Sequence, residues 1–209
     1  MNSLYTDSVP RAYRLGKRAD GAARTRQRIV EAARRVLVRS DFRGLPLELV
    51  AELAGVTRLT VYNQLGGRTG LLAALVDDTV RRMQVREVIA ALALPDPQRA
   101  LFALVRETCR AWERERVVVQ RLLALATIDS DAHEAIAHYE SRRVHDIAVL
   151  VARLRTAKRL ASNVTPDEAT ALLGALTSFA FVDQLGGDAD AAICRLVAGL
   201  LREPSTKSR

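Results

Sequence analysis

Two cysteines in 209 residues, Cys109 and Cys194, are too few for a disulfide framework, and they lack the spacing of a cysteine-based metal site. A chain of this length buries roughly 70% of its unfolded surface and needs no covalent staple, so both thiols read as small hydrophobes in a reducing compartment. Aromatic residues make up only 4%, with a single tryptophan, Trp112, so a cavity in this protein is walled mainly by aliphatic side chains. The longest stretch of low polarity, Ala169 to Val182, has 14 residues and carries Thr170, Thr177 and Ser178. That is short of the roughly 20 apolar residues a membrane span requires. The first residues lack the apolar core of a secretory signal, and the expectation is a cytoplasmic protein. Glycine and proline are missing from Gln98 to Thr165, a run of 68 positions, and β-branched runs are few. Long helices are therefore expected there, and an all-α fold for the whole chain.

Charge is abundant and unevenly placed. The net charge is +8, and Met1 to Arg68 holds 13 basic against 6 acidic residues while Thr69 to Arg209 holds 19 against 18. Nearly all the excess sits in the first third. A basic unit joined to a nearly neutral one suggests a polyanion-binding module with an attached domain of another kind.

Helix ends follow from capping chemistry. Asp96-Pro97 offers a side-chain acceptor followed by proline at the first helical position, and Thr165-Pro166-Asp167-Glu168 adds a capping box, as does the spacing Asp131 to Glu134. Helices are expected over about 24–39, 47–54, 58–65, 69–92, 97–113, 115–127, 132–159, 166–185 and 189–202. Residues 1–23 read as a flexible basic arm, 24–68 as the polyanion-binding unit and 69–209 as a second domain.

Within the basic unit, Leu47 to Leu65 reads LELVAELAGVTRLTVYNQL. Two short amphipathic runs flank Gly55-Val56-Thr57. Gly55 can supply a left-handed turn, Thr57 can cap the second helix, and Ala51 is small where the two helices would cross. Val50, Ala54, Val56, Val61 and Leu65 hold the helices together, and Ile29, Ala33, Val36 and Leu37 on a preceding helix close the core. This is the chemistry of a helix-turn-helix. With Arg68 and Leu71-Leu72 added, the stretch from about Arg24 to Asp77 resembles the DNA-binding domain of TetR-type transcriptional regulators, most strongly over GVTRLTVYNQLGGRTGLL. Three features depart from the family's usual pattern. Asp41 stands for the glycine that ends the first helix, Pro46 for the threonine that opens the second, and Leu65 and Arg68 for a phenylalanine and a lysine. Pro46 removes a hydroxyl and an amide that can hold a phosphate.

On a helix starting near Arg58, the positions Arg58, Leu59, Tyr62 and Asn63 face outward. Arg58 can donate to the guanine O6/N7 edge, Asn63 can pair with adenine, and Leu59 can pack on a thymine methyl. The resemblance implies phosphate contacts for Thr60, Tyr62 and Arg68. Arg11, Arg14, Lys17 and Arg18 either enter a flanking minor groove or raise non-specific affinity.

The second domain carries no family motif. Leu172, Leu173, Ala175, Leu176, Phe179, Ala180, Phe181 and Val182 cannot share one side of a helix, so this segment has neighbours on several sides. The resemblance implies that the last two helices form a four-helix dimer bundle, with Leu172, Leu176, Phe179, Ile193, Leu196 and Leu200 at the interface. It also implies a ligand cavity among the preceding helices, bringing Phe102, Trp112, Leu122, Tyr139 and Phe179, with His133 at the edge. The implied architecture is an N-terminal three-helix helix-turn-helix domain and a C-terminal helical ligand-binding and dimerisation domain. Its implied function is a homodimeric repressor of a palindromic DNA operator, released by a small, largely apolar effector and using no cofactor. A DNA-binding protein without an effector site is the alternative.

A metal-dependent hydrolase is the third reading, because His133-Glu134-Ala135-Ile136-Ala137-His138 approaches a zinc motif. The two histidines are five apart, about 140° round a helix, whereas the zinc motif needs four. Glu134, His138, Ser141 and His145 share a face opposite Ile136, Ile147, Val151 and Leu154, which makes a solvated stripe. No metal site and no catalytic residue is expected.

Overall fold

The computed structural model describes residues 11–39 and 44–202, with side chains from Asp20 onward. It is all-α. The helices are α1 (Arg11–Leu37), α2 (Leu47–Ala54), α3 (Arg58–Leu65), α4 (Arg68–Arg82), α5 (Val85–Leu92), α6 (Pro97–Arg114), α7 (Arg116–Ala126), α8 (Ser130–Thr156), α9 (Pro166–Leu176), α10 (Phe179–Leu185) and α11 (Ala189–Ala198), with a 3-10 turn at Gly186–Asp188. The chain divides into two units, Met1–Leu75 and Val76–Arg209, so the division falls inside α4 rather than at its start.

In the first unit α1 packs on α2 and α3, and α2 on α3. Ile29, Ala33, Val36 and Leu37 of α1 are buried, as are Val50, Ala51 and Ala54 of α2 and Val61 and Leu65 of α3. Leu45, ahead of α2, and Leu71, Leu72 and Leu75 of α4 are buried too. The segment expected as a flexible arm is helical from Arg11 onward. Gly16 and Gly21 each weaken a helix by about 1 kcal/mol relative to alanine but do not end one, and Thr25 donates its hydroxyl back to the Gly21 carbonyl. The side chains of Arg11, Arg14, Lys17 and Arg18, and all of Asp41, lie outside the described residues.

The second unit is organised on α6, which packs against α5, α7, α8, α10 and α11. Leu101, Leu104, Val105 and Trp112 of α6 form one core with Ile147, Leu150, Val151 and Leu154 of α8, Leu173 of α9 and Ile193 and Val197 of α11. The connection after α8 is tied to the chain beyond α11 by an isolated antiparallel bridge between Leu160 and Leu201. Two backbone bonds reinforce it, Ala161 N–H to Leu200 O at 2.9 Å and Arg202 N–H to Arg159 O at 2.8 Å.

The caps at Asp96 and Thr165 form as their sequences imply. The Asp96 carboxylate accepts from the Gln98 amide at 2.8 Å. Thr165 and Glu168 form the full capping box, and the bonds from Thr165 hold the Glu168 carboxyl below its usual range. Helix α8 differs from expectation, since its cap is Asp129, which accepts from the Ala132 amide, and not Asp131. Two long helices are also broken. The expected 69–92 helix divides at Gln84, whose backbone is left-handed (φ 57°, ψ 44°). Arg114 of α6 donates to the Met83 carbonyl at this break, at 3.1 Å. The expected 166–185 helix divides at Thr177 and Ser178, where the Thr177 hydroxyl turns back to Leu173 O at 2.6 Å and Ser178 caps α10.

Leu150, 1% exposed, faces the centre of the α6–α8 core. Truncation to alanine should cost about 2–5 kcal/mol, through lost burial plus the cavity left behind, read as a lower urea midpoint at unchanged slope.

Candidate functional site

The α2–α3 turn follows from three residues. Gly55 adopts φ 64°, ψ 41°, a left-handed conformation that ends α2 and lets the Val56 amide return to Ala51 O. Thr57 then caps α3, its hydroxyl accepting from the Thr60 amide at 3.1 Å and lying 2.9 Å from the Thr60 hydroxyl. With Val61 and Leu65 pinned inward, the opposite face of α3 stands in water. Leu59 is 67% and Tyr62 61% exposed, and Arg58 and Asn63 are exposed as well. Large apolar and aromatic side chains in that position, beside a guanidinium and an amide, match the edges of base pairs. Thr60 is half-buried with its hydroxyl committed to the cap, and Arg68, half-buried, opens α4.

Arg58 bonds to Glu48 across the two helices at 2.8 Å, with both side chains about two-thirds exposed. Such a pair is worth about 0–1 kcal/mol, so it orients the guanidinium without preventing its transfer to a stronger acceptor. Arg26 of α1 donates to the Gln64 carbonyl at 3.1 Å, tying down the far end of α3. Neither interaction was read from the sequence. Pro46 stands at the cap position of α2 with no side-chain bond to the helix.

The second unit contains a cavity of about 180 Å³, and Trp112, Leu122, Tyr139 and Phe179 are in its wall. Trp112 meets Tyr139 and Phe179 edge to face at 6.5 and 5.7 Å. Its indole N–H donates to Thr177 O at 2.9 Å. Burial is the main cause that pushes the Tyr139 hydroxyl up to about 12, so it stays neutral.

Two expected cavity residues lie elsewhere. Phe102 packs on the core outside the wall. His133 is exposed, because α8 turns Ala132 inward and the next residue, 100° further round, points to water. The sequence reading missed Val76, Thr79 and Val80 of α4 and Met83 just beyond its end, and also Glu140 and Ser178. Glu140 follows Ile136 by four residues, and that spacing was its available signal.

The expected dimer face also divides. Ile193, Phe179 and Leu200 belong to the core of a single chain, while Leu172 (46%) and Leu196 (52%) are exposed and Leu176 is half-buried. Both faces of α9 and α11 are apolar, and the sequence alone does not say which face turns inward.

Both cysteines are free thiols, Cys109 buried and Cys194 half-buried, and burial pushes Cys109 up to about 11. His133, Glu134 and His138 are all exposed. Among the described residues no three His, Cys, Asp or Glu side chains gather in a cluster able to hold a metal, and no single helix is long and apolar enough to cross a membrane.

This arrangement, a helix-turn-helix unit followed by a helical unit built round a cavity, is that of TetR-family transcriptional regulators. NalD of Pseudomonas aeruginosa, the secondary repressor of the MexAB-OprM multidrug efflux pump, is similar with a TM-score of 0.73 at 24% identity, covering 88% of this chain and 100% of NalD. A protein of Rhodococcus sp. assigned to the TetR family gives a TM-score of 0.65 at 18% identity, over 86% of this chain and 100% of its own. A protein of Saccharomonospora viridis, assigned as a transcriptional regulator and solved in complex with choline, gives 0.67 at 17%, over 87% and 100%. No protein-family model and no curated protein matches the sequence. The chain has the TetR-family fold.

Gly70 is the residue on which the α3–α4 corner most directly depends. A Cβ there would lie 1.6 Å from the Leu65 carbonyl oxygen, an overlap that only backbone movement relieves. Gly70→Ala should destabilise the protein by about 1–3 kcal/mol, as overpacking does, and lower its melting temperature.

Proposed function

We propose that the protein is a DNA-binding transcriptional regulator, a repressor that binds a palindromic operator as a homodimer and leaves it when a small, largely apolar molecule occupies the cavity. The observation that carries the reading is the water-facing row Arg58, Leu59, Tyr62 and Asn63 on a short helix pinned from behind by Val61 and Leu65. Exposing a leucine and a tyrosine on eight residues of helix costs hydration, and reading base edges gives that exposure a use. The charge excess of the first 68 residues supplies the sequence-independent attraction to phosphate. Tyr62 and Arg68 serve as phosphate contacts. Thr60 serves there through its hydroxyl, which also supports the cap.

Effector coupling runs through α4. The helix begins at Arg68, and its second half contributes Val76, Thr79 and Val80 to the cavity wall. A ligand displacing those residues shifts α4 and changes the separation of two recognition helices. Coupling of about 1–3 kcal/mol gives a 5- to 150-fold change in operator affinity. The homodimer forms through Leu172, Leu176 and Leu196, the parts of the expected face that one chain leaves accessible. This reading has the protein working in the cytoplasm, requires no cofactor and gives no residue a catalytic role. The fold shared with NalD and with a protein solved with choline supports it, as does the apolar cavity.

Arg58→Ala should cost about 1–3 kcal/mol on the specific operator and relax preference at one base pair per half-site. Arg68→Ala should weaken all sequences alike and flatten the salt dependence. Fluorescence anisotropy on operator and scrambled DNA separates the two, and equal losses from Arg58→Ala on both would overturn the base-reading role.

Leu196→Asp places a charge on an exposed position, so the single chain tolerates it, but in an apolar dimer interface an unpaired carboxylate is costly. Sedimentation should show monomers, with operator affinity lost. A dimer of normal affinity would locate the interface elsewhere.

A further inference from the structure

The cavity wall holds one carboxylate and no cation. None of its residues is lysine, arginine or histidine; the polar ones are Thr79, Tyr139, Glu140 and Ser178. Arg143 lies close by, but its guanidinium is spent on Glu140 Oε2, on the Thr177 hydroxyl at 2.9 Å and on the Gly174 carbonyl at 3.1 Å. It is 13% exposed and is not part of the wall. Glu140 meets Arg143 through Oε2 alone, and among the described residues Oε1 has no partner. A carboxylate offers about four lone-pair sites on two oxygens, so Oε1 retains acceptor capacity.

The donors that would recognise an anion are mostly committed or absent. The Trp112 N–H is bonded to Thr177 O, and the other polar groups of the wall besides Glu140 are hydroxyls. An anionic ligand would find no cation in the wall to pair with, because the one guanidinium close by, Arg143, is already paired with Glu140. Three aromatic residues of the wall, Trp112, Tyr139 and Phe179, already packed edge to face, suit a further aromatic or apolar ring set against them.

We infer that the cavity is selective for a protonated amine carrying one aromatic or similar apolar ring, with the ring among Trp112, Tyr139 and Phe179 and the ammonium donating to Glu140 Oε1. The Glu140 side chain is 39% exposed, so the charge stays near water while the ring enters. That avoids the cost of burying an unsolvated cation. The size agrees, since an apolar cavity of about 150 Å³ holds benzene and this one is about 180 Å³. The inference rests on the cavity being the effector site and adds the charge of its occupant.

The test uses the full chain and three probes of one shape: phenethylamine, phenethyl alcohol and phenylacetate, titrated near neutral pH by calorimetry. A hydrogen bond to a charged partner predicts that the amine binds about 10-fold or more tighter than the alcohol, with phenylacetate weakest. Glu140→Gln, whose amide oxygen still accepts from Arg143, should bring the amine to within about twofold of the alcohol. The ranking in the unsubstituted protein decides the matter even where the variant folds poorly. An alcohol that binds as tightly as the amine, or a Glu140→Gln protein that keeps the preference, overturns the charge selectivity and leaves the apolar cavity standing. Failure of all three to bind overturns the selectivity and the ligand cavity together.

Discussion

The indole N–H of Trp112 has one partner, the carbonyl of Thr177, and the second unit is arranged round that bond. Thr177 is 1% exposed and stands where α9 gives way to α10. A buried carbonyl without a donor would cost about 1–3 kcal/mol, so the break needs Trp112. The Thr177 hydroxyl is held in turn by Arg143 of α8. One residue thus joins α6, α8 and the α9–α10 corner. The ring that supplies the bond is also cavity wall, stacked edge to face with Tyr139 and Phe179. The core and the cavity share a side chain there.

The first unit works under a different constraint. Its helix α3 has eight residues, too few to be stable alone in water, and exists because packing and caps compensate for what length does not provide. Val61 and Leu65 anchor it, Thr57 caps its start and Arg26 holds Gln64 at its far end. Gly55 supplies the left-handed turn ahead of it, and Gly70 lets the start of α4 lie against the Leu65 carbonyl behind it. A helix fixed this firmly from behind can present exposed apolar side chains without collapsing onto them. That separation of a rigid back from a solvated face is what a base-reading surface requires.

Helix α4 belongs to both units in sequence, and its two halves carry different chemistry. Near Arg68 it is part of the basic segment, and from Val76 onward it lines an almost wholly apolar cavity. The break at Gln84 ends it early, in a left-handed conformation that glutamine does not favour. The Arg114 bond to the Met83 carbonyl supplies the missing partner at that point.

Patterns local to the chain were sufficient for the all-α class, the helix-turn-helix, the caps at Asp96 and Thr165 and the outward row on α3. Each depends on residues within one turn of one another, and the physics of capping and amphipathic burial acts at that range. Trp112, Leu122, Tyr139 and Phe179 were legible as cavity candidates only through the family resemblance, which implies a cavity among these helices. The helix breaks at Gln84 and Thr177 were not, because partners 31 and 65 residues away, Arg114 and Trp112, satisfy the backbone there. Nor was the sidedness of α9 and α11, whose apolar faces are alike in sequence. Tertiary packing buried Ile193 and left Leu196 in water. Glu140 entered the cavity wall and His133 left it for the same reason: the rotation of α8 is set by Ile147, Leu150, Val151 and Leu154 locking into α6, and one residue of rotation moves a side chain by 100°.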